Sequence, residues 1–267
     1  MTRDAPARSL GERFRAEGLD WLVPEWEAHT SVRAFATTRS GGTSQGPFAT
    51  MNLGRATADD PAALAANRAR LSALLPAAPV WLEQVHGTAV ATLHATPPAT
   101  VPKADAAVTR EPDVVCAVLT ADCVPVVFAS RTGRAVGVAH AGWRGLAGGV
   151  VEATVDALRT LDAPPSDLVA WLGPAIGPTA FEVGADVVAA FCDRHADDAR
   201  CFVPRTAGKW LADLPGLARR RLHAAGVAAV EGGRWCTSTD DARFYSYRRD
   251  RTSGRMATVV WLARRAV

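Results

Sequence analysis

Short runs of valine, alanine and leucine recur along the chain, separated by segments rich in glycine, proline and charged residues. Runs of this kind, bounded by turn-forming residues, predict β-strands. Several are apolar at consecutive positions, which is typical of strands buried on both faces, although short helices share the pattern. The predicted strands cover residues 32–37, 80–86, 114–120, 124–129, 135–141, 168–172 and 258–263.

Helices are indicated by their end signals as well as by their periodicity. Asp60-Pro61 combines a residue that caps helix N-termini with a proline at the first helical position, and leucines then follow at helical spacing. Gly226 is placed to end another helix. The further predicted helices cover residues 146–161, 184–195 and 215–225.

The mixture of strands and helices predicts an α+β (mixed α/β) protein. We find no internal repeat and no linker long enough to divide the chain, so residues 31–267 are predicted to form a single domain. Residues 1–30 are charged and irregular, and we expect an N-terminal tail there, with Trp21 and Trp26 joining its end to the domain.

Composition excludes several classes of function. The chain of 267 residues is 48% hydrophobic and 21% charged with a net charge of +3, and its basic residues are scattered, which argues against nucleic-acid binding. The longest apolar run, residues 114–129, contains Asp122 and is too short to cross a bilayer. Five cysteines without regular spacing, and a start with no apolar signal segment, lead us to expect reduced thiols and a cytoplasmic location.

Three metal-competent side chains occur at or near the ends of predicted strands: His86 in QVHG, Cys123 in ADCV and His140 in AHAGW. If the three strands are neighbours, the side chains can converge, because functional groups are commonly held where strands end. Two imidazoles and a thiolate would form a three-ligand zinc set that leaves the fourth tetrahedral position open. The competing interpretation is that each histidine is simply satisfied locally and that Cys123 is a small buried hydrophobe.

Further candidates lie in segments rich in glycine and polar residues. The glycines after His140 indicate a sharp turn and a close approach of the backbone to a neighbouring group. Arg144 is placed to bind a phosphate or carboxylate at this turn. The loop 37–54 carries Arg39 and Asn52, and the segment 236–257 carries Arg248 among charged and aromatic residues. These segments form either substrate contacts or ordinary packing and surface loops.

Several segments together resemble one known family, whose members have been named polyphenol oxidases, purine nucleoside phosphorylases and peptidoglycan editing factors: the YfiH-type laccase-domain family. The order QVHG, TADC, AHAGWRG is highly specific, and the similarity extends from about residue 37 to 257. The matching segments are TTRSGG…GPFATMNLG, DDPAALAANRARL, WLEQVHG, ADAAVT, LTADCVPVVFA, AVGVAHAGWRGLAGGVVEATV, LGPAIGP…FEVG and CTSTDDARFYSYRRDRTSGRMA.

The resemblance implies a fold like that of the cytotoxic necrotizing factor catalytic domain, with packed mixed β-sheets flanked by helices. It implies zinc binding by His86, Cys123 and His140, and phosphorolysis of adenosine and inosine with side activities on adenosine (deamination) and methylthioadenosine. Purine nucleosides and phosphate would be the partners. Arg39, Asn52, Arg144 and Arg248 are the expected substrate contacts.

Two other enzymatic functions compete with this interpretation, and a non-catalytic binding module is a third alternative. A metal-free cysteine hydrolase would use Cys123 as nucleophile and His140 as base, which would suit the correction of peptidoglycan precursors. A copper phenol oxidase could use the same three side chains at a blue-copper centre. An oxygen-reducing copper enzyme needs a larger set of histidines, however, and the remaining four are scattered through the chain. We therefore expect zinc rather than copper.

Overall fold

The computed structural model describes residues 9–264. Within this range the chain forms seven α-helices and twelve β-strands, joined by loops and three short 3₁₀ turns. The helices are α1 (Leu10–Ala16), α2 (Pro61–Ser72), α3 (Trp143–Gly148), α4 (Val150–Thr160), α5 (Ala185–Cys192), α6 (Leu214–Ala224) and α7 (Tyr247–Asp250). The strands are β1 (Val32–Ala36), β2 (Val90–Thr92), β3 (Ala106–Thr109), β4 (Cys116–Thr120), β5 (Val124–Ser130), β6 (Val136–Ala141), β7 (Leu168–Leu172), β8 (Glu182–Gly184), β9 (Phe202–Pro204), β10 (Lys209–Ala212), β11 (Ala229–Gly232) and β12 (Met256–Leu262).

A six-stranded mixed sheet forms the centre of the fold, in the order β11-β7-β5-β6-β3-β2. The two outer pairs are parallel and the inner pairs antiparallel. Because successive side chains of a strand point to opposite faces, Val126 and Phe128 of β5 lie in one core and Val127 and Ala129 in another. This is why β5 is apolar at consecutive positions, residues 124–129.

The two faces of the central sheet are covered differently. On one face, α4 and α6 pack through residues such as Leu158 and Leu222. On the other, a three-stranded antiparallel sheet in the order β1-β12-β4 packs through residues such as Val118 and Val260. A third, small sheet has the order β8-β10-β9. The prediction of packed mixed sheets flanked by helices is confirmed.

The end signals of the helices act as the sequence predicts. The Asp60 carboxylate accepts hydrogen bonds from the N–H groups of Ala62 and Ala63, which caps α2. Gly226 follows α6 with a left-handed backbone, φ +88°. The helix predicted over 146–161 is instead two helices, because Gly149 at φ +104° interrupts it, and the first of the two already begins at Trp143.

The strand predicted over residues 80–86 is absent. Val80 makes one isolated bridge to Cys116, and beyond it the chain is held against β4 by a side chain rather than by the backbone. The Gln84 amide donates to the carbonyl of Leu119 and accepts from its N–H, so it substitutes for a ladder pair. Six short strands are not among the predicted ones: β2, β3, β8, β9, β10 and β11.

The expectation of an irregular segment before residue 31 is wrong for α1. Ser9 and Glu12 form a capping box at its start. Phe14 packs edge-on against Phe35, and Trp21 stacks on the same ring at 5.4 Å between centroids, so this segment is part of a core. The expected boundary between tail and domain at residue 30 stays a prediction. The first part of the predicted tail, residues 1–8, and the last part of the predicted domain, residues 265–267, lie outside the described residues.

Among the described residues, no helix has the length and apolar character needed to cross a membrane.

Candidate metal centre

His86, Cys123 and His140 are brought together by the central sheet and one adjacent loop. His140 lies near the end of β6, and Cys123 lies in the turn before β5, where Val124 pairs with Ala141. His86 comes from the loop that follows residue 80. One ligand atom from each residue lies within 4.8 Å of the other two, and the Cys123 Sγ is 3.9 Å from the His86 Nε2. The three side chains therefore meet at one point, as expected if they bind one ion.

The group is graded in exposure. His140 is buried, Cys123 is half-buried and His86 is exposed. A ligand therefore approaches the group from the His86 side, while His140 forms its floor.

Two of the turns that carry these residues have left-handed backbones without glycine. His86 has φ +59° and Asp122 has φ +93°, conformations that are unfavourable for side chains with a Cβ. The turn at Asp122 is anchored by its carboxylate, which accepts hydrogen bonds from the Thr237 hydroxyl and the Arg248 N–H. Strained conformations persist where the surrounding structure holds them in place, and they are common at functional sites.

The glycines after His140 allow the close approach that the sequence predicts. A Cβ at Gly142 would lie 2.8 Å from the His86 Cδ2 and 2.9 Å from the Cys123 Sγ. A Cβ at Gly145 would lie 2.8 Å from the carbonyl oxygen of Gly87. Both glycines therefore make room for the loop that carries His86.

Asp105 is a functional candidate that the sequence analysis missed. It is fully buried and lies one residue before β3, opposite His140 in the antiparallel pairing with β6. One carboxylate oxygen lies 2.9 Å from the His140 Nδ1. The only available sequence signal was an acidic residue directly before the apolar run of ADAAVT.

The electrostatics of the group favour a thiolate. Burial raises the pKa of Cys123, but the positive charge of His140 and hydrogen bonds from His140 and His86 outweigh it and bring this pKa down to about 6. Burial lowers the pKa of His140, but the Cys123 thiolate and the hydrogen bond to Asp105 raise it to about 9. Without a metal, the two groups therefore form a thiolate–imidazolium pair at neutral pH.

Two of the predicted substrate contacts are already committed to the fold. The Arg39 guanidinium donates to the carbonyl oxygens of Ala49 and Asp241 and lies over the Tyr245 ring. Asn52 is fully buried. Its amide donates to the Asp59 carboxylate and accepts a hydrogen bond from the Arg255 backbone N–H. These residues hold loops together, as do most groups of the segment around Arg243 and Arg249.

The other two predicted contacts retain free donors. Arg144 is exposed at the start of α3 and lies over its neighbour Trp143. Arg248 is half-buried, lies over the Phe181 ring and donates through one nitrogen to the Glu182 carbonyl. Arg255, which the sequence analysis did not single out, is half-buried. Burial lowers its pKa, whereas the charges of Cys123 and Asp122 act in the opposite direction.

The family model described as multi-copper polyphenol oxidoreductase laccase matches residues 33–263. The chain belongs to this family. Within residues 9–264, however, His86, Cys123 and His140 are the one group of histidine, cysteine or acidic side chains placed to hold a metal ion. The further histidine clusters of an oxygen-reducing multi-copper centre are not found in this part of the chain.

Curated relatives carry a different name from the family model. A Pseudomonas aeruginosa protein named purine nucleoside phosphorylase PA4543 is 52% identical over 243 residues, which cover 91% of this chain and 98% of the relative. An Escherichia coli protein named purine nucleoside phosphorylase YfiH is 48% identical, covering 90% of this chain and 98% of the relative.

Solved structures share the fold. The Neisseria meningitidis protein NMB0706 superposes with a TM-score of 0.86 at 44% identity, covering 92% of this chain and all of the other. YlmD from Geobacillus stearothermophilus superposes with a TM-score of 0.83 at 33% identity, covering 91% of this chain and 96% of the other.

Proposed function

We propose that this protein is a zinc-dependent purine nucleoside phosphorylase, which cleaves adenosine and inosine with phosphate to the free base and ribose 1-phosphate. The observation that carries the proposal is the convergence of His86, Cys123 and His140 from three separate parts of the chain. The names of the relatives support the choice of reaction. Deamination of adenosine and cleavage of methylthioadenosine are proposed as side activities, and a cytoplasmic location suits the free thiols.

The donor set fits zinc. A thiolate and two imidazoles are zinc's usual ligands, and three of them leave one position open. The pKa of about 6 keeps Cys123 ionised at neutral pH, which is the form that binds metal. When bound, zinc would supply Lewis acidity, which polarises an oxygen of the substrate or of phosphate.

The chain itself has to bind and orient phosphate against the sugar. In phosphorolysis the phosphate anion attacks a sugar carbon that develops positive charge, so cationic side chains are needed to hold the phosphate. We assign this role to Arg248, whose backbone N–H donates to the carboxylate of Asp122, the residue before Cys123. Arg255 is the second candidate, because it interacts electrostatically with Cys123 and uses only Nη1 of its guanidinium to donate to the Ser253 and Gly254 carbonyls. Arg144, exposed two residues beyond Gly142, is placed to contact the part of the substrate that reaches solvent.

One specific observation favours a second function. Cys123, His140 and Asp105 are linked in the order thiolate, imidazole and carboxylate, which is the arrangement of a cysteine hydrolase. Such an enzyme would need no metal and could act on peptidoglycan precursors. The copper-oxidase alternative is supported by the family's name alone.

The test uses purified protein with inosine, with and without phosphate, and measures hypoxanthine release and bound metal. We expect phosphate-dependent release that a chelator abolishes and zinc restores. His86→Ala, Cys123→Ala and His140→Ala are each expected to lose both zinc and activity, whereas Cys192→Ala, a half-buried cysteine on α5, keeps both.

Each outcome separates the candidates. Retained phosphate-dependent release in any of the three variants would refute the proposal. Activity on a peptidoglycan precursor that survives chelation would identify the cysteine hydrolase. Turnover of a phenol that stops without oxygen and needs copper would identify the oxidase.

A further inference from the structure

We infer that Asp105 is the positioning residue for both histidines of the candidate metal centre, holding one through its ring and the other through its backbone. The inference rests on the proposed zinc site, but it concerns a residue outside the ligand set.

The first half of the inference concerns His140. One oxygen of the Asp105 carboxylate lies 2.9 Å from the His140 Nδ1, and neither side chain is accessible enough for water to compete. The backbone reinforces this pairing, because the His140 N–H donates to the Asp105 carbonyl oxygen at 2.7 Å. A carboxylate can only accept, so it selects the ring form with a proton on Nδ1 and leaves the Nε2 lone pair for the metal.

The second half concerns His86, whose ring does not touch Asp105. The same carboxylate accepts hydrogen bonds from three successive N–H groups, those of Val85, His86 and Gly87, at 3.1, 2.9 and 2.7 Å. This loop has no strand pairing of its own at these positions, and His86 adopts a left-handed backbone there. The carboxylate therefore fixes the direction in which the His86 side chain leaves the backbone.

The hydrogen bonds from both segments enclose the carboxylate of Asp105. Four donors thus surround one carboxylate, and they come from the two chain segments that carry the two histidines. Loss of this carboxylate releases both ligands together, which loss of an ordinary histidine partner would not do.

The test is zinc affinity, measured by competition with a chromophoric chelator, in Asp105→Asn and Asp105→Ala. One carboxylate oxygen accepts from the His86 N–H and the His140 ring, and the other accepts from the Val85 and Gly87 N–H groups, so an asparagine amide directs its NH₂ group at two of the four donors. We expect zinc affinity to fall by about 10- to 100-fold, the usual effect of removing such a partner. Cobalt-loaded Asp105→Asn is expected to lose the thiolate-to-metal absorption of a well-formed tetrahedral site.

Asp167→Asn is the matched control. Asp167 also accepts side-chain hydrogen bonds at the end of β5, from Ser130 and Thr132, but at the end away from Cys123. We expect it to bind zinc like the wild type. If Asp105→Asn is folded, as judged by circular dichroism, and binds zinc within twofold of this control, the inference is overturned.

A double-variant comparison tests the claim about both histidines. In a His140→Ala background, Asp105→Asn is expected to speed hydrogen exchange of the Val85, His86 and Gly87 N–H groups, because the His86 loop loses its acceptor. Unchanged exchange rates would mean that Asp105 acts through His140 alone and would overturn the joint role.

A measurement on the wild type covers the case in which the variants do not fold. In the zinc-loaded protein, ¹⁵N NMR of the His140 ring is expected to show a proton on Nδ1 and the metal on Nε2, and the opposite assignment would contradict the inference. Failure of the proposed function is distinguishable, because it would appear as a zinc-loaded wild-type protein that releases no hypoxanthine from inosine and phosphate.

Discussion

Replacing Gly142 with alanine perturbs the candidate metal centre directly without changing any of the three candidate ligand residues. Gly142 has φ −68° and ψ 160°, a conformation that alanine adopts without strain. The effect of the added methyl group is therefore mainly steric. Its position would be 2.8 Å from the His86 Cδ2 and 2.9 Å from the Cys123 Sγ.

The magnitude follows from these two distances. Ordinary van der Waals contact for such a carbon begins at 3.4 Å, so the ring and the sulfur each have to move by about half an ångström. Metal–ligand distances tolerate about 0.2 Å. We expect zinc affinity to fall by at least about tenfold, which corresponds to about 1.4 kcal/mol.

Zinc affinity from chelator competition and unfolding followed by circular dichroism are measured together. Gly148→Ala is the control, because it adds the same methyl group to the same helix, where the nearest atom is the end of the Thr88 side chain at 3.1 Å. Because alanine is favoured over glycine within a helix, we expect Gly148→Ala to leave the free energy of unfolding unchanged or slightly higher. Wild-type zinc affinity in Gly142→Ala would refute the view that the three side chains share one ion at this point.

Two further predictions concern charge. Zinc has to displace the proton of His140, whose pKa is about 9, while Cys123, with a pKa of about 6, is already ionised at neutral pH. Zinc binding at pH 7.5 is therefore expected to release about one proton per ion from this pair. Zinc affinity is expected to rise with pH up to about 9. A zinc titration in a weak buffer that shows no proton release would contradict this prediction. Asp198→Ala is expected to lower the free energy of unfolding by about 3 kcal/mol, since it removes the carboxylate 2.7 Å from the buried Arg221 guanidinium and leaves only Glu152, at 3.9 Å, as its partner. In denaturant unfolding, the neighbouring exposed Asp197→Ala should change stability by less than about 0.5 kcal/mol, and equal effects of the two would show that the buried pair contributes nothing.

Much of the central sheet was predictable from the sequence. The strands β5, β6 and β7 were identified within one or two residues, because strands covered on both faces are apolar at nearly every position. The start of α2 was identified because Asp60 and Pro61 act locally, on N–H groups one turn away.

The errors occur where distant segments supply the hydrogen bonds. Residues 80–86 have a strand-like pattern, yet Gln84 replaces the backbone ladder by binding Leu119, 35 residues away. Local pattern carries no information about such a partner, and the same holds for the short strands β2 and β3.

The candidate site shows the same division. Residue type and position beside turns marked His86, Cys123 and His140 as candidate ligands, because few side chains bind zinc, although the strand expected before His86 is absent. Whether Arg39 is free for a substrate depends on carbonyl groups at residues 49 and 241, and whether Asp105 matters depends on its pairing with β6. The sequence by itself determined which chemistry was available and which segments were buried. Only the tertiary structure decided which polar groups were already satisfied, because hydrogen bonds act over about 3 Å in space, whatever the separation along the chain.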